Sequence, residues 1–255
     1  MCRMKNRPTS AAHVPAAFCS ALPNESRFND AVGQEFHLCH VSEIVEEGLN
    51  NQLIVQEKIC LCVGDEHRSF DNNPLLEQVL FGSSGSVLDE LKLPHTFVLL
   101  DAALHLGLPE VLENEGIPYS CLFFGDARDE LADVAPYIAQ VSPEDAFLRK
   151  LLTGISADDP PWMMWPKGGF VFLRSDLSLY NLVKHFRKFT RIFDQNTSRW
   201  NFFRFYAPET MLNVISHMED NAFQRFAKGI DGFIVPNGEN GVVSLSWQEA
   251  EAETC

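Results

Sequence analysis

Residues 200–208 constrain the fold of this chain most strongly, because they join an aromatic run to a helix-start signal. Four of the five residues from Phe202 to Tyr206 are aromatic, and flat rings favour the extended backbone of a pleated sheet. Pro208 follows, and it suits the first turn of a helix, where its missing N–H costs nothing. The stretch therefore predicts a buried strand that turns sharply into an amphipathic helix.

Arg204 is the charged residue of this aromatic run. On a strand its side chain points away from Phe203 and Phe205 and shares a face with Phe202 and Tyr206. On that face the guanidinium can stack on a ring and pair with a carboxylate, either internal or on a partner. The alternative is a lone charge that reaches solvent, since arginine is seldom buried unpaired. Arg204 is therefore a candidate site residue, structural or partner-binding.

The charge of the chain limits its partners. Its 255 residues include 35 acidic and 20 basic side chains, which give a formal net charge of −15. This charge argues against nucleic acid, because binding to phosphate needs Lys and Arg contacts. It argues equally against an anionic membrane surface, and no apolar run approaches the roughly 20 residues that span a bilayer. We therefore expect a cytoplasmic protein without membrane insertion.

The cysteines and histidines offer a weak metal signal. Seven cysteines are irregularly spaced and odd in number, so we interpret them as reduced thiols and not as a disulfide framework. Six residues of the first third of the chain could ligate zinc: His37, Cys39, His40, Cys60, Cys62 and His67. Their Cys-x-Cys and His-x-Cys spacings are shorter than those of structural zinc sites. We expect no metal and no cofactor.

From His95 onwards, apolar runs of strand length alternate with helical patterns. Predicted strands cover residues 96–101, 119–124, 137–141 and 170–174, and predicted helices cover 102–114, 126–134, 142–153 and 175–187. Residues 188–193 and 202–206 form a predicted antiparallel hairpin. This alternation predicts an α/β fold with a mixed, mostly parallel sheet, flanking helices, the hairpin and a small C-terminal lobe.

Composition divides the chain into four predicted segments. Residues 1–30 mix Pro, Ala, Ser and Asn without periodicity and predict a disordered arm. Residues 31–93 form an N-terminal extension with a short helix over 41–49, a strand over 53–63, a helix from Pro74 and a break at 83–86. Residues 94–218 form the main α/β domain. Residues 219–255 form the small lobe, with strands over 233–236 and 242–247 and an acidic tail.

Candidate chemistry is sparse. Asp101 ends a predicted strand, where open α/β sheets place residues that contact ligands. Ala102 and Ala103 follow it, so a second acid for a metal or phosphoaspartate site is missing there, and the simpler interpretation is an acid that caps the next helix. His185 and Arg187 precede the hairpin and are most simply interpreted as a solvated cationic helix end.

Two further segments are interpreted as parts of the core. Cys121 lies in an apolar strand and is a buried, inert thiol in this interpretation. The Trp-Met-Met-Trp sequence at 162–165 fits a core strand better than a sticky surface. The sequence contains no nucleophile-elbow, Walker or dinucleotide-binding motif. We find no catalytic set.

The order of several short pieces resembles a known family. The pieces are residues 97–103 (FVLLDAA), 120–125 (SCLFFG), 131–138 (LADVAPYI), 185–187 (HFR) and 203–208 (FRFYAP). Their order and spacing resemble the type VI secretion effector adaptor or chaperone family, first catalogued as a domain of unknown function. That family usually reads Asp-Pro-Arg after the aromatic strand. Here Ala207, Pro208 and Glu209 occupy the turn, so an acid has become neutral and a base has become acidic.

The resemblance implies a non-catalytic adaptor that holds a secreted effector protein and loads it onto the secretion spike protein. Its partner-binding or structural signature would comprise Asp101, His185, Arg187, Arg204, Tyr206 and Pro208. An alternative from another class is a small α/β hydrolase or transferase that uses the strand ends near Asp101. A zinc-dependent scaffold built on the N-terminal Cys and His residues is a weaker third hypothesis.

Overall fold

The computed structural model describes residues 25–29, 35–41, 52–61, 73–82, 94–154, 164–238 and 241–249. In chain order the strands are β1 (Glu25–Asn29), β2 (Glu35–Val41), β3 (Gln52–Leu61), β4 (His95–Asp101), β5 (Tyr119–Cys121), β6 (Pro136–Val141), β7 (Phe170–Ser175), β8 (Arg191–Asp194), β9 (Arg199–Phe202), β10 (Gly232–Pro236) and β11 (Gly241–Glu249). The helices are α1 (Pro74–Phe81), α2 (Leu108–Glu115), α3 (Asp126–Leu131), α4 (Ala146–Leu151), α5 (Leu179–Phe186), α6 (Pro208–Asn213) and α7 (Asp220–Ala227).

The strand directions correct the predicted fold class. Nine strands form one sheet in the order β1-β2-β3-β11-β10-β7-β4-β6-β5. Every pairing within it is antiparallel, so the prediction of a mostly parallel sheet is wrong. The separate two-stranded sheet of β8 and β9 is also antiparallel, as expected for the hairpin, although it is displaced to residues 191–202.

Two apolar layers explain why the direction was misread. Along β4, Phe97 and Leu99 pack into one core with α5, α6 and α7, whereas Val98 and Leu100 pack into the opposite core with α1, α2 and α4. Because helices cover both faces, the strand is apolar at successive positions. Continuous apolar runs are typical of parallel sheets. The physical cause of such a run, however, is burial of the strand on both faces, and this burial does not depend on strand direction.

The sheet joins segments that the sequence analysis separated. β3 of the N-terminal extension pairs with β11, and β10 pairs with β7 of the central region. Strands β10 and β11 of the predicted C-terminal lobe therefore belong to the main sheet. Residues 25–29 of the predicted arm form β1, and residues 1–24 lie outside the described residues. The predicted helix over 41–49, beyond Val41, and the break at 83–86 also lie outside them.

Local sequence signals account for several element boundaries. The predicted helix over 102–114 is a 3₁₀ turn at Ala102–Leu104 followed by α2, and Pro109 sits in the first turn of α2, where proline is tolerated. Ser178 caps α5 instead of Ser175, whose hydroxyl donates to the Gly229 carbonyl at 2.5 Å. The predicted strand at 162–165 is wrong within the described residues: Met164 and Trp165 are buried, but Trp165 opens a 3₁₀ turn.

Candidate functional site

The aromatic run forms a strand end and a tight turn, which corrects the predicted buried strand. β9 ends at Phe202, and its four residues are exposed. Residues 204–207 form a turn, which we call the Arg204 turn, closed by the Ala207 N–H donating to the Arg204 carbonyl at 3.1 Å. Pro208 then begins α6, as predicted from its place in a first helical turn. Strand alternation does not hold across the turn, so Phe205 and Tyr206 are both buried.

Phe205 anchors the Arg204 turn in the core. Its side chain is fully buried and stacks on Phe186 of α5, with ring centroids 5.2 Å apart and planes 15° from parallel. It also meets Phe226 of α7 edge-on at 5.6 Å. Offset and edge-to-face pairs of this kind are the favoured arrangements of aromatic rings. The turn is therefore held between two helices of one layer, whereas Phe203 is only half-buried.

Arg204 pairs with Asp101, an internal carboxylate at the end of β4. The Arg204 Nη2 donates to Asp101 Oδ2, and Asp101 Oδ1 accepts the Ala103 N–H at 3.1 Å. The Asp101 side chain is 1% exposed, whereas the Arg204 side chain is 51% exposed. Asp101 thus caps the 3₁₀ turn, as its simpler interpretation states, and also ties the Arg204 turn to the centre of the sheet.

The electrostatics of this site follow from that asymmetry of exposure. Burial by itself disfavours the charged guanidinium, but the hydrogen bond and charge of Asp101 raise the pKa of Arg204. Burial, together with the Asp101 carboxylate, raises the pKa of the Tyr206 hydroxyl to about 12. Arg204 is therefore a permanent cation and Tyr206 a neutral phenol near neutral pH. Both Asp101 oxygens already have partners within the chain.

A cleft of about 820 Å³ opens beside the Arg204 turn. The side chains and backbone that line it include Trp165, Gly168, Gly169, Arg204, Pro208 and Asn237. The Asp101 N–H donates to the Gly169 carbonyl at 2.8 Å, so a backbone hydrogen bond joins the cleft wall to the residue that pairs with Arg204. Gly169 has φ +73°, and a Cβ there would lie 2.7 Å from Leu104 Cδ1. Only glycine fits this wall without displacement.

His105 supports the same wall from behind. Its side chain is buried, and its Nε2–H donates to the Gly168 carbonyl at 2.8 Å. Its Nδ1 has no hydrogen-bond partner among the described residues. Burial lowers the pKa of His105, although the bond to Gly168 opposes this shift. The imidazole is therefore held neutral, as a structural donor.

His185 and Arg187 are not a solvated helix end, so that interpretation is wrong. His185 is buried, and its Nε2–H donates to the Phe226 carbonyl of α7 at 2.8 Å. Burial lowers the pKa of His185 against the effect of that bond. Arg187 is half-buried and its Nη2 donates to the carbonyls of Cys121 at 2.9 Å and Phe123 at 3.5 Å. Both residues join helices to neighbouring backbone.

The contacts of Arg187 lie at one end of a sheet edge. β5 is the last strand of the nine-stranded sheet, and its inner side bonds β6. The carbonyls of Cys121 and Phe123 lie on alternate residues. They accept hydrogen bonds from the Arg187 guanidinium and not from a further strand. The Arg187 guanidinium also lies 5.8 Å from the centre of the Phe124 ring. A free strand edge invites pairing with another chain, and this arginine occupies the C-terminal end of that edge.

The hairpin of β8 and β9 presents a surface that sequence reasoning missed. Arg191 lies opposite Phe202 and Phe193 opposite Trp200, so these four residues share one face, which we call the hairpin face. The Arg191 guanidinium lies 5.1 Å from the Phe202 ring centre, and the Phe193 and Trp200 centroids are 5.4 Å apart. All four side chains are exposed. The alternation of polar and aromatic residues in β9, which reads Arg-Trp-Asn-Phe, was the available signal.

The hairpin turn is held by its own side chains. Asp194 Oδ1 accepts the Asn196 N–H at 2.8 Å, and Asp194 Oδ2 accepts the Thr197 hydroxyl at 2.8 Å. The Thr197 hydroxyl bond, with the backbone bond from Asn196, lowers the pKa of Asp194. Near the base, Phe202 meets Phe123 at 5.2 Å, and the Phe203 N–H donates to the Thr190 carbonyl at 2.9 Å. The hairpin face is thus supported at both ends.

The cysteine interpretations have different outcomes. Cys121 is buried as a free thiol at the end of β5, and burial raises its pKa, so the thiolate is disfavoured. Cys39 and Cys60 take opposing register positions in β2 and β3. Cys62 and His67 lie outside the described residues. Across the described ranges, no group of three His, Cys, Asp or Glu side chains is placed to hold a metal.

The six predicted site residues therefore separate into two places. Asp101, Arg204, Tyr206 and Pro208 lie together at the Arg204 turn. His185 and Arg187 contact α7 and β5 instead. In the part of the chain that the structure describes, no helix combines the length and apolar character needed to cross a bilayer.

The fold, the Arg204 turn and the hairpin face define an antiparallel sheet protein that is covered by helices and carries an exposed aromatic hairpin. The domain of unknown function DUF4123 matches residues 96–225, just over half of the chain, and the chain belongs to this family. The match runs from β4 to α7 and includes the Arg204 turn and the hairpin face. Neither the curated proteins nor the solved structures contain a match to this sequence.

Proposed function

We propose that this protein is a non-catalytic cytoplasmic adaptor that binds a secreted effector of the type VI secretion system and loads it onto the spike protein. The observation that carries the proposal is the hairpin face, where Phe193, Trp200 and Phe202 are between 49% and 66% exposed. Contiguous exposed aromatic surface is a mark of protein interaction sites. The resemblance of its motifs to the effector adaptors supports the same conclusion, and these motifs lie within the residues that match DUF4123, a domain whose description assigns no function.

The Arg204 turn has a supporting function in this proposal. Its ion pair and its buried Phe205 fix the direction in which the chain leaves β9 and enters α6. The same turn forms one wall of the cleft. A rigid base of this kind reduces the conformational entropy that binding would otherwise cost.

A pull-down tests the proposal directly. The tagged chain is expressed in a strain that carries the neighbouring open reading frames, and captured proteins are identified by mass spectrometry. We expect an effector and the spike protein to be retained by wild type, and retention to fall for Trp200→Ala while the melting midpoint is unchanged. Tyr180→Ala removes an aromatic residue of α5 that is 75% exposed, against 66% for Trp200, and is the matched control.

Two results would overturn the adaptor proposal. One is a wild-type chain that retains neither an effector nor the spike protein. The other is turnover in a screen of esterase, phosphatase and nucleotidase substrates that is abolished by Asp101→Asn, because this would identify the strand end as a catalytic site.

A further inference from the structure

The hairpin region carries a charge opposite to that of the whole chain. Residues 184–204 contain one acidic residue and six basic ones, namely Lys184, Arg187, Lys188, Arg191, Arg199 and Arg204, whereas the chain carries a formal charge of −15. Arg187 and Arg204 are engaged internally, with backbone carbonyls and with Asp101. The other four are exposed. The segment that contains the hairpin is therefore net positive on an otherwise acidic protein, with Arg191 on the hairpin face and Arg199 on the opposite face beside Asp194.

The hairpin also offers backbone partners. β8 and β9 pair with each other and, within the described residues, with no other strand. Each of them consequently has one edge that no other described strand pairs with. Unlike the edge of β5, whose C-terminal end Arg187 occupies, these edges lie beside exposed aromatic side chains. An extended segment could add to such an edge and place alternate side chains over the hairpin face.

We infer that the hairpin face docks an extended segment of a partner protein in which acidic residues alternate with apolar ones. The apolar side chains would cover Phe193, Trp200 and Phe202, and a carboxylate would meet Arg191, the cation of this face. Charge complementarity selects this occupant. The inference rests on the proposed adaptor function, because it names the chemistry of the partner that the adaptor holds.

The other macromolecular occupants fit less well. Aromatic rings beside cations also bind single-stranded nucleic acid, by stacking on bases. However, a phosphate backbone carries a charge on every nucleotide and is bound through several Lys and Arg contacts, whereas Arg191 is the one cation among the four residues of the hairpin face. An anionic membrane surface likewise requires a cluster of cations on one face. An acidic protein segment can meet Arg191 with one carboxylate, while its apolar side chains supply the contact with the three rings.

The test measures binding of defined probes to the full chain by fluorescence anisotropy. The probe is a labelled twelve-residue peptide in which Glu alternates with Leu, its neutral control replaces every Glu by Gln, and a twelve-nucleotide oligothymidine represents nucleic acid. We expect the Glu/Leu peptide to bind at least about ten-fold more tightly than the Gln/Leu peptide at low salt, with the difference shrinking as salt rises. Oligothymidine should bind more weakly than both peptides.

Matched variants locate the binding surface. Trp200→Ala should weaken the Glu/Leu peptide by about ten-fold or more, since buried Trp side chains dominate interface energies. Arg191→Glu should remove the preference for Glu over Gln. Tyr180→Ala and Arg225→Glu change an exposed aromatic and an exposed cation elsewhere, and both should bind as wild type. Melting curves verify that each variant is folded.

Several outcomes would overturn the inference. These are equal affinity for the two peptides, tighter binding of oligothymidine, or unchanged binding by Trp200→Ala and Arg191→Glu. If the pull-down still retains an effector after such a result, the adaptor proposal stands and only the partner chemistry is wrong. If the peptides bind as expected but no effector or spike protein is retained, the adaptor proposal fails instead.

Discussion

Arg204→Ala is the most informative change, because the two ends of its ion pair differ so strongly in exposure. Asp101 is 1% exposed, so removal of the guanidinium leaves a desolvated carboxylate with only the Ala103 N–H as its partner. Breaking a fully buried pair costs about 3–5 kcal/mol. Arg204 is 51% exposed, so water can enter the vacated space, and we reduce the expected loss to about 2–3 kcal/mol.

A double-variant cycle separates this cause from simple loss of packing. Asp101→Asn keeps an oxygen for the Ala103 N–H but removes the charge, so Arg204→Ala with Asp101→Asn should recover about 1 kcal/mol relative to Arg204→Ala alone. The assay is denaturant unfolding followed by fluorescence, with a thermal scan in which Arg204→Ala lowers the midpoint by roughly 5–10 °C. An unchanged midpoint for Arg204→Ala, or a double variant no more stable than the single, would refute the structural interpretation of the pair. An unchanged midpoint combined with lost effector retention would show that Arg204 contacts the partner instead.

Four further predictions concern the surroundings of this pair. Phe205→Ala should cost about 3–5 kcal/mol in chemical unfolding, because the ring is fully buried between α5 and α7; a cost below that of a surface change would contradict the packing. Ala207→Asp should raise stability by about 1 kcal/mol, because the N-cap of α6 has extended geometry but no side-chain acceptor; a lower midpoint would count against it. Gly169→Ala should lower the free energy of unfolding by about 1 kcal/mol or more, because position 169 has a positive φ and the added Cβ would contact Leu104. An unchanged free energy of unfolding would show that Leu104 moves to accommodate the methyl group. The folded-state pKa of His185 lies below its ordinary value of 6.5, so the stability that neutral His185 contributes is complete above about pH 6.5 and is lost as the pH falls below it. His185→Gln should therefore flatten the decline of the melting midpoint between pH 7.5 and pH 5.5. An unchanged slope would contradict this.

The central strands could be located from sequence because their signal is local. The apolar runs at 96–101, 137–141 and 170–174 coincide with β4, β6 and β7 to within one residue at each end. Each of these strands is buried on two faces, so almost every residue in it is apolar whatever the neighbouring strand does. The start of α6 was equally local, since it depends on the fixed φ of Pro208 and its missing N–H.

Strand direction and edge protection were not local properties. Whether two strands run parallel depends on how the intervening chain crosses the sheet, and the alternation of strands and helices is compatible with both directions. The contact of Arg187 with β5 spans 66 residues, and nothing in the neighbourhood of Arg187 identifies its acceptors. His185 was misread for the same reason, because its acceptor lies on α7, 41 residues further along the chain.

By itself the sequence limited Arg204 to two roles, a pair with a carboxylate or a lone charge that reaches solvent, since arginine is seldom buried unpaired. Only the tertiary structure decided that the carboxylate is Asp101, which is separated from Arg204 by 103 positions, because the chain folds so that the end of β4 meets the Arg204 turn. The sequence likewise determined that residues 202–206 would bury aromatic surface. The end of β9 at Phe202 decided which of these rings are buried, because strand alternation stops there. The turn directs Phe205 inward, whereas Trp200 and Phe202 remain exposed to solvent.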